Sequence, residues 1–272
     1  MTRLKPTDVQ GIPGTLKEYD EELVKRTGCT LIDIAEDAAR TKTHIKATLR
    51  ETRAAVVPIT SGGGVIEGFS QAVEAILNHV GIRTIEIQGV DISGIAEAYE
   101  QGADLTFLAD DRKFVAINTH TTHAVDNATS TAKAYVAALD KMAKGLKEKT
   151  VLVIGVGYVG SAAVANLMLR KAKPVAVDLD RLKLKALSER FGDKIVVSTR
   201  LSDMVRQTNL IINAAPGKNI IRADMIEENT LISAPAIPLG LSSGAIRKIG
   251  RNLIHDPLQL GVATMAVEAC TS

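Results

Sequence analysis

The sequence predicts an α/β fold of two domains: an N-terminal helical segment with a small α/β sheet, then a C-terminal dinucleotide-binding domain built on a parallel sheet. Three observations predict it. Short, mostly apolar runs recur at 54–59, 105–109 and 151–154, the signature of strands buried on both faces. Segments of helical spacing lie between them, as at Phe69, Val73, Ile76 and Leu77, and regular strand–helix alternation implies parallel strands with right-handed crossovers. Finally, Gly155, Gly157 and Gly160 stand in G-x-G-x-x-G spacing directly after one of the strands and before a helix, the order of a Rossmann turn.

Residues 1 to about 53 read as largely helical. Thr15, with Glu18 three positions on, has a capping-box pattern. Leu16, Tyr19, Leu23 and Val24 then share a face, and a second helix covers 31–40. The first buried strand, 54–59, runs into Thr60, Ser61 and three glycines ahead of a helix over 69–80. A glycine-rich turn with two hydroxyls at the carboxyl end of a strand can hold an anion such as a carboxylate; a flexible turn without a ligand is the alternative. A strand over 84–87, a helix over 92–101 ended by Gly102, and a buried strand over 105–109 follow. That strand leads into Asp110, Asp111 and Arg112. One carboxylate there can hold a substrate ammonium while the other caps or pairs with Arg112; an ordinary acidic turn is the alternative. A brief strand over 115–117 precedes a polar loop over 118–127, where Asn127 and Thr129 are candidates to face an interdomain cleft. His120 and His123 in that loop lack a clear third ligand, so no metal is expected. A long helix over 130–146 connects to the second domain, which sets the domains at 1–147 and 148–272.

In the second domain each glycine has its own task. Gly155 allows the tight turn, Gly157 lets a pyrophosphate approach the backbone, and Gly160 lets the helix over 161–171 pack close to the sheet. The phosphates would sit on N–H groups at the helix N-terminus, with Val156, Tyr158 and Val159 completing the turn. The strand over 174–178 ends in Asp178, 23 positions after Gly155, near the spacing of the acid that accepts hydrogen bonds from an adenosine ribose. That acid favours NAD, because it would repel the 2′-phosphate of NADP; Asp180 adds to the repulsion, and Arg181 and Lys183 oppose it. A tight strand–turn–helix without a ligand is the alternative. A helix over 182–191, a strand over 195–197 and a short helix over 201–207 precede a strand from 210. Its end supplies Asn213, Ala214, Ala215 and Pro216 as candidate cofactor contacts. After a helix over 223–228, a strand ends in Ser233, Ala234 and Pro235, small enough for close approach near a nicotinamide. The last strand carries His255, a candidate on the cofactor side and for proton transfer; a buried or surface histidine is its alternative. A helix over 260–269 closes the chain.

Composition removes several classes. Of 272 residues, 46% are apolar and 24% charged, which fits an ordinary globular chain. Aromatics are 3%, Trp is absent and the net charge is +2, so neither stacking platforms nor a basic footprint for nucleic acid is expected. No apolar run approaches a membrane span. Cys29 and Cys270 are far apart in a chain without a signal-peptide pattern, which reads as two reduced thiols in a cytoplasmic protein.

The quoted residues resemble one family, the pyrrolysine synthases. The resemblance runs almost end to end, through Pro58, Ile59, Thr60, Ser61 and the three glycines, Asp91 with Ser93 and Gly94, and Ala109, Asp110, Asp111 and Arg112 with Phe114. It continues through the turn at 151–160, through 214–216 and 233–238, and through 256–261 with Thr264 and Met265. Residues 118–133 depart from it. The resemblance implies a two-domain, NAD-dependent enzyme of cytoplasmic pyrrolysine biosynthesis. Its small, dipeptide-like substrate would be 3-methylornithine joined through its carboxyl group to the ε-nitrogen of lysine. The terminal amine is oxidised and lost as ammonia, and the resulting semialdehyde closes with the retained amine to a pyrroline ring. It implies Asp110 as the catalytic acid that orients a substrate amine, Thr60 and Ser61 as polar contacts, Ile59 as pocket lining and Leu4 as a lid contact. The Thr60–Ser61 turn and Asp110 are expected to face the glycine turn across a cleft. A homodimer is the assembly to test. Two other readings stay open: another NAD-dependent amine or amino-acid dehydrogenase that forms a cyclic imine, and a nucleotide-sensing regulatory protein.

Overall fold

The computed structural model describes residues 4–41 and 45–271. They form two compact units, each with its own sheet. The first holds the described residues up to Val24, those from Cys29 to Ala134, and those from Pro257 onward; the second holds Lys25–Gly28 and Tyr135–Asp256.

The first unit opens with helices α1 (Pro6–Val9), α2 (Ile12–Thr27), α3 (Leu31–Ala39) and α4 (Lys46–Glu51). Then come β1 (Arg53–Pro58), α5 (Phe69–His79), β2 (Arg83–Ile85), α6 (Asp91–Glu100), β3 (Leu105–Ala109), β4 (Phe114–Asn118) and β5 (His123–Asp126). The sheet order is β2-β1-β3-β4-β5. β1 runs parallel to β2 and β3, while β4 and β5 continue as an antiparallel meander. The chain leaves β1 for β2 on one side and returns to β3 on the other, which makes the carboxyl end of β1 a topological switch point. There Pro58 pairs with Ala109, so the loops after β1 and β3 emerge side by side. Ala54 to Val57 are buried on both faces, with Ala72, Val73, Ile76 and Leu77 of α5 against them.

After α7 (Asn127–Met142), the second unit contains β6 (Thr150–Ile154), α8 (Tyr158–Leu169), β7 (Lys173–Val177), α9 (Arg181–Phe191), β8 (Val196–Ser198), α10 (Leu201–Arg206) and β9 (Leu210–Asn213). It continues with β10 (Gly217–Ile221), β11 (Leu231–Ser233), β12 (Leu239–Leu241), α11 (Ser243–Ile249) and β13 (Leu253–Ile254). Six strands form a wholly parallel sheet in the order β13-β11-β9-β6-β7-β8. This is the doubly wound Rossmann order, with its switch point between β6 and β9. The expected α/β class, with a parallel dinucleotide-binding sheet in the C-terminal part, is what the chain adopts.

Several local expectations are corrected. The domains are not the contiguous 1–147 and 148–272: α12 (Gln259–Thr271) belongs to the first unit, where it packs on α3, α5, β4 and β5. A helix buried over Gln259 to Val267 has no polar side to tell a sequence reader which partner it covers. Thr15 caps nothing, because it lies inside α2 and its hydroxyl donates to Gly11 O. The polar loop after β4 contains β5, and Asp126 then caps α7 three residues ahead of the expected start, accepting from Ala128 and Thr129 N–H groups. α8 begins at Tyr158 rather than residue 161. The expected helix over 223–228 is a single tight turn, Ala223–Met225. The pair β10–β12 and helix α11 were not expected, being too short for periodicity to reveal.

Candidate functional site

The first cluster sits at the carboxyl ends of β1 and β3. Ile59 is half-buried, and Thr60, Ser61 and Asp110 are exposed at the loop tips. The structure therefore brings these four together. Asp110 Oδ1 accepts from the backbone N–H groups of Arg112 and Lys113, each at 2.7 Å. Those bonds, first from Lys113 and then from Arg112, hold its carboxyl below the usual carboxylate range, so Asp110 is an anion with one oxygen already oriented. Leu4 is half-buried just ahead of α1. The chain after it runs along the exit of the glycine turn, where a Cβ at Gly68 would lie 3.2 Å from Gln10 Cγ.

The glycine turn was expected to receive an anion, and it does, but from its own chain. Asp111 Oδ2 accepts the Gly63 N–H at 2.7 Å, and a Cβ at Gly62 would lie 2.3 Å from the same oxygen. Thr60 is likewise engaged: its N–H donates to Asp91 Oδ1 at 2.8 Å and its hydroxyl donates to Asp91 Oδ2. Asp91 and Asp111 lie 31 and 48 positions from their partners. Their part in the site was not legible, although both residues stood within the quoted motifs. His120 pairs with Asp104 at 2.7 Å. Burial pushes the Asp104 carboxyl up, but the His120 and Arg53 contacts outweigh it and hold the group low.

The second cluster is the turn after β6. Gly155 adopts φ +82°, and a Cβ there would lie 2.8 Å from Ala215 N. A Cβ at Gly160 would lie 1.8 Å from Gly155 O. Gly157 has no atom within 4 Å of its Cβ position. The first and third glycines are thus closed by the protein, while the second faces open space. Helix α8 begins at Tyr158 without a side-chain cap, leaving first-turn N–H groups for an anion. Asp178 accepts Val156 N–H at 2.7 Å on one oxygen and Asp180 N–H at 2.9 Å on the other, and a carboxylate with about four acceptor positions retains room for ribose hydroxyls. These features fit a dinucleotide.

Other candidates divide by burial. Pro216 is exposed, and Val159, Ala214, Ala215, Pro235 and His255 are partly exposed. Asn213 is fully buried, donates to Leu239 O at 2.8 Å and accepts from Ala215 N, so its amide ties β9 to the β12 segment. Ser233 is also fully buried and donates to Tyr135 O. The side chains of Val156 and Ala234 point into the core as well. His255 Nδ1 lies 2.7 Å from Ala234 O. A carbonyl only accepts, so Nδ1 carries the hydrogen and Nε2 is the ring nitrogen left for another partner.

The comparisons with known proteins fall on both clusters. Residues 8–125, which include Thr60, Asp91 and Asp110, match the family described as pyrrolysine biosynthesis protein PylD, N-terminal domain. Over 265 residues the chain is 29% identical to the pyrrolysine synthase of Methanosarcina acetivorans, covering 97% of this chain and 98% of that protein. It is 28% identical to the pyrrolysine synthase of Methanosarcina barkeri over 265 residues, with 97% of each chain covered. The chain is similar to the pyrrolysine synthases. Its likeness to them extends through the Rossmann unit, beyond the matched N-terminal family. Among solved structures, quinate dehydrogenase from Corynebacterium glutamicum in complex with NAD superposes with a TM-score of 0.55 at 16% identity, covering 80% of this chain and 92% of that one. That likeness concerns the fold.

Proposed function

We propose that the chain is an NAD-dependent amine dehydrogenase of the pyrrolysine synthase type, acting in the cytoplasm on 3-methylornithinyl-N6-lysine. The observation that carries this reading is the similarity to two pyrrolysine synthases across 97% of the chain. The second unit would hold the dinucleotide at Gly157, the first turn of α8 and Asp178, with Ala214 to Pro216, Pro235 and His255 following strands of the same sheet. NAD, when bound, supplies the acceptor for the hydride that leaves the carbon bearing the terminal amine.

The chain's own residues do the rest by position. Asp110, ionised and partly committed to its own backbone, offers its remaining oxygen to a substrate amine; Thr60 and Ser61 add polar contacts, and Ile59 lines the apolar stem. Holding reacting atoms about 3–3.5 Å apart supplies much of the acceleration such a step needs. Loss of hydride from carbon and of a proton from nitrogen leaves an imine on the substrate. Water adds to it and ammonia departs, giving the semialdehyde. The retained amine attacks that carbonyl, and loss of one water closes the pyrroline ring. His255 Nε2 is the atom proposed to take the nitrogen's proton, its ring held by Ala234 O.

The test is direct. Purified chain with NAD and the dipeptide should release NADH, ammonia and the cyclic product in equal amounts; a protein that binds NAD but forms no NADH with this dipeptide would sink the reading.

A further inference from the structure

The Thr60 hydroxyl has one proton, and its place is fixed. Asp91 accepts both from Thr60 N–H, at 2.8 Å, and from the Thr60 hydroxyl. A carboxylate can only accept, so the hydroxyl must donate to it, and what Thr60 Oγ1 presents outward is lone pairs. Those two bonds, the hydroxyl's first, also hold the Asp91 carboxyl below the usual carboxylate range. A hydroxyl polarised by an anionic acceptor is in turn a better acceptor.

Close packing and hydrogen bonds hold Asp91 in a strained backbone conformation. It adopts φ +51° at the first residue of α6, a conformation uncommon for a residue with a Cβ. The segment before it is pinned by Glu97, whose carboxylate accepts the Gln88 and Gly89 N–H groups. A Cβ at Gly94 would lie 2.6 Å from Gly89 O and 2.7 Å from Val57 Cγ1, so only glycine lets α6 sit this close to β1. The result is an asymmetric loop tip. The N–H groups of Thr60, Gly63 and Gly64 are already donated within the protein. Thr60 Oγ1 and the second oxygen of Asp110 are acceptors at these loop ends, beside the exposed Ser61 hydroxyl.

We propose that Asp91 is a positioning residue that locks Thr60 as a hydrogen-bond acceptor, so that the Thr60 position selects an amine N–H of the substrate over a carboxylate. This rests on the reading of the β1–β3 loop ends as the substrate site. Asp91 acts through Thr60 and does not itself touch the reacting atoms. Asp91→Asn keeps the size of the side chain but brings an amide that can donate to Thr60 Oγ1, which frees the hydroxyl to turn its proton outward.

The experiment is a double-mutant cycle on the full chain, with KM for the dipeptide and KM for NAD measured separately by NADH formation. Loss of one charge-assisted hydrogen bond predicts a rise in dipeptide KM of about tenfold or more for Asp91→Asn and for Thr60→Val, with KM for NAD unchanged. Asp91→Asn added to Thr60→Val should cost nothing further, and Thr60→Ser, which keeps the hydroxyl, should stay near wild type. Full additivity of the two changes, or a normal dipeptide KM in Asp91→Asn, overturns the proposal while wild-type turnover keeps the substrate reading intact. If the wild type itself forms no NADH with the dipeptide, the substrate reading fails and the proposal falls with it. Should Asp91→Asn not fold, the pair Thr60→Val and Thr60→Ser decides alone: equal KM in the two overturns the acceptor role.

Discussion

Gly157 and Gly160 stand three residues apart in one turn, yet a methyl group added to each meets opposite conditions. At Gly160 the new carbon would lie 1.8 Å from a backbone oxygen, which no rotamer can relieve. Gly160→Ala should therefore destabilise the second unit by more than the roughly 1–3 kcal/mol of ordinary overpacking, read as a fall in melting temperature with or without NAD. At Gly157 nothing lies within 4 Å, so Gly157→Ala should melt as the wild type does and bind NAD about tenfold or more weakly by titration. A Gly157→Ala variant that binds NAD normally would show that the pyrophosphate does not approach there. The glycine spacing was legible because it is local. Asp91 and Asp111 were not assignable, because each acts on backbone 31 or 48 positions away, and no periodicity or spacing rule reaches across such a gap. The burial of Asn213 and Ser233 is illegible for a related reason: a strand end says where a residue emerges, and only the fold says that its side chain turns inward.

At the scale of elements, the central strands were readable because burial on both faces leaves an uninterrupted apolar run, as from Ala54 to Val57 and from Val151 to Ile154. Helix α12 shows the limit of such reading. Its apolar character announced burial, but a helix apolar on all sides carries no direction. In the structure it closes the first unit against α3 and α5, and a Cβ at Gly261 would lie 2.5 Å from Thr131 Oγ1. Met265 is fully buried there. Met265→Ala should cost about 2–5 kcal/mol by leaving a cavity, and hydrogen exchange should show lost protection in α3, α5 and β1. Affinity for NAD should not change. A variant that weakens NAD while sparing those segments would assign α12 to the dinucleotide domain.

For the whole molecule, the two units differ in how their charges are held. In the first, Asp91, Glu97, Asp104 and Asp110 all have carboxyl groups held low by hydrogen bonds to N–H or hydroxyl donors or to His120. In the second, among the described residues, the carboxyl shifted in this way is Asp224, which is held by Arg222 and Arg206. A carboxyl whose folded pKa lies below its unfolded value adds stability that is complete above the unfolded pKa and disappears as pH falls through the folded one. Glu74 of the first unit has the opposite sign: burial, helped by Glu86, pushes its carboxyl up, so mild acid relieves it. The exposure of most of these groups keeps each contribution small, but four of one sign against one outweigh the exception. Acid should thus act unequally. As pH drops below the ordinary carboxylate range, hydrogen exchange read by mass spectrometry should show the loop ends of β1 and β3 and the N-terminus of α6 losing protection first. The six-stranded sheet should hold to lower pH. If substrate binding lies where Thr60 and Asp110 meet, affinity for the dipeptide should fall in the same acid range while NAD still binds, because protonated Asp91 no longer fixes the Thr60 proton and protonated Asp110 no longer attracts an amine. Loss of protection in the second unit before the first would contradict this ordering, and NAD binding lost together with dipeptide binding would contradict the division of labour between the units.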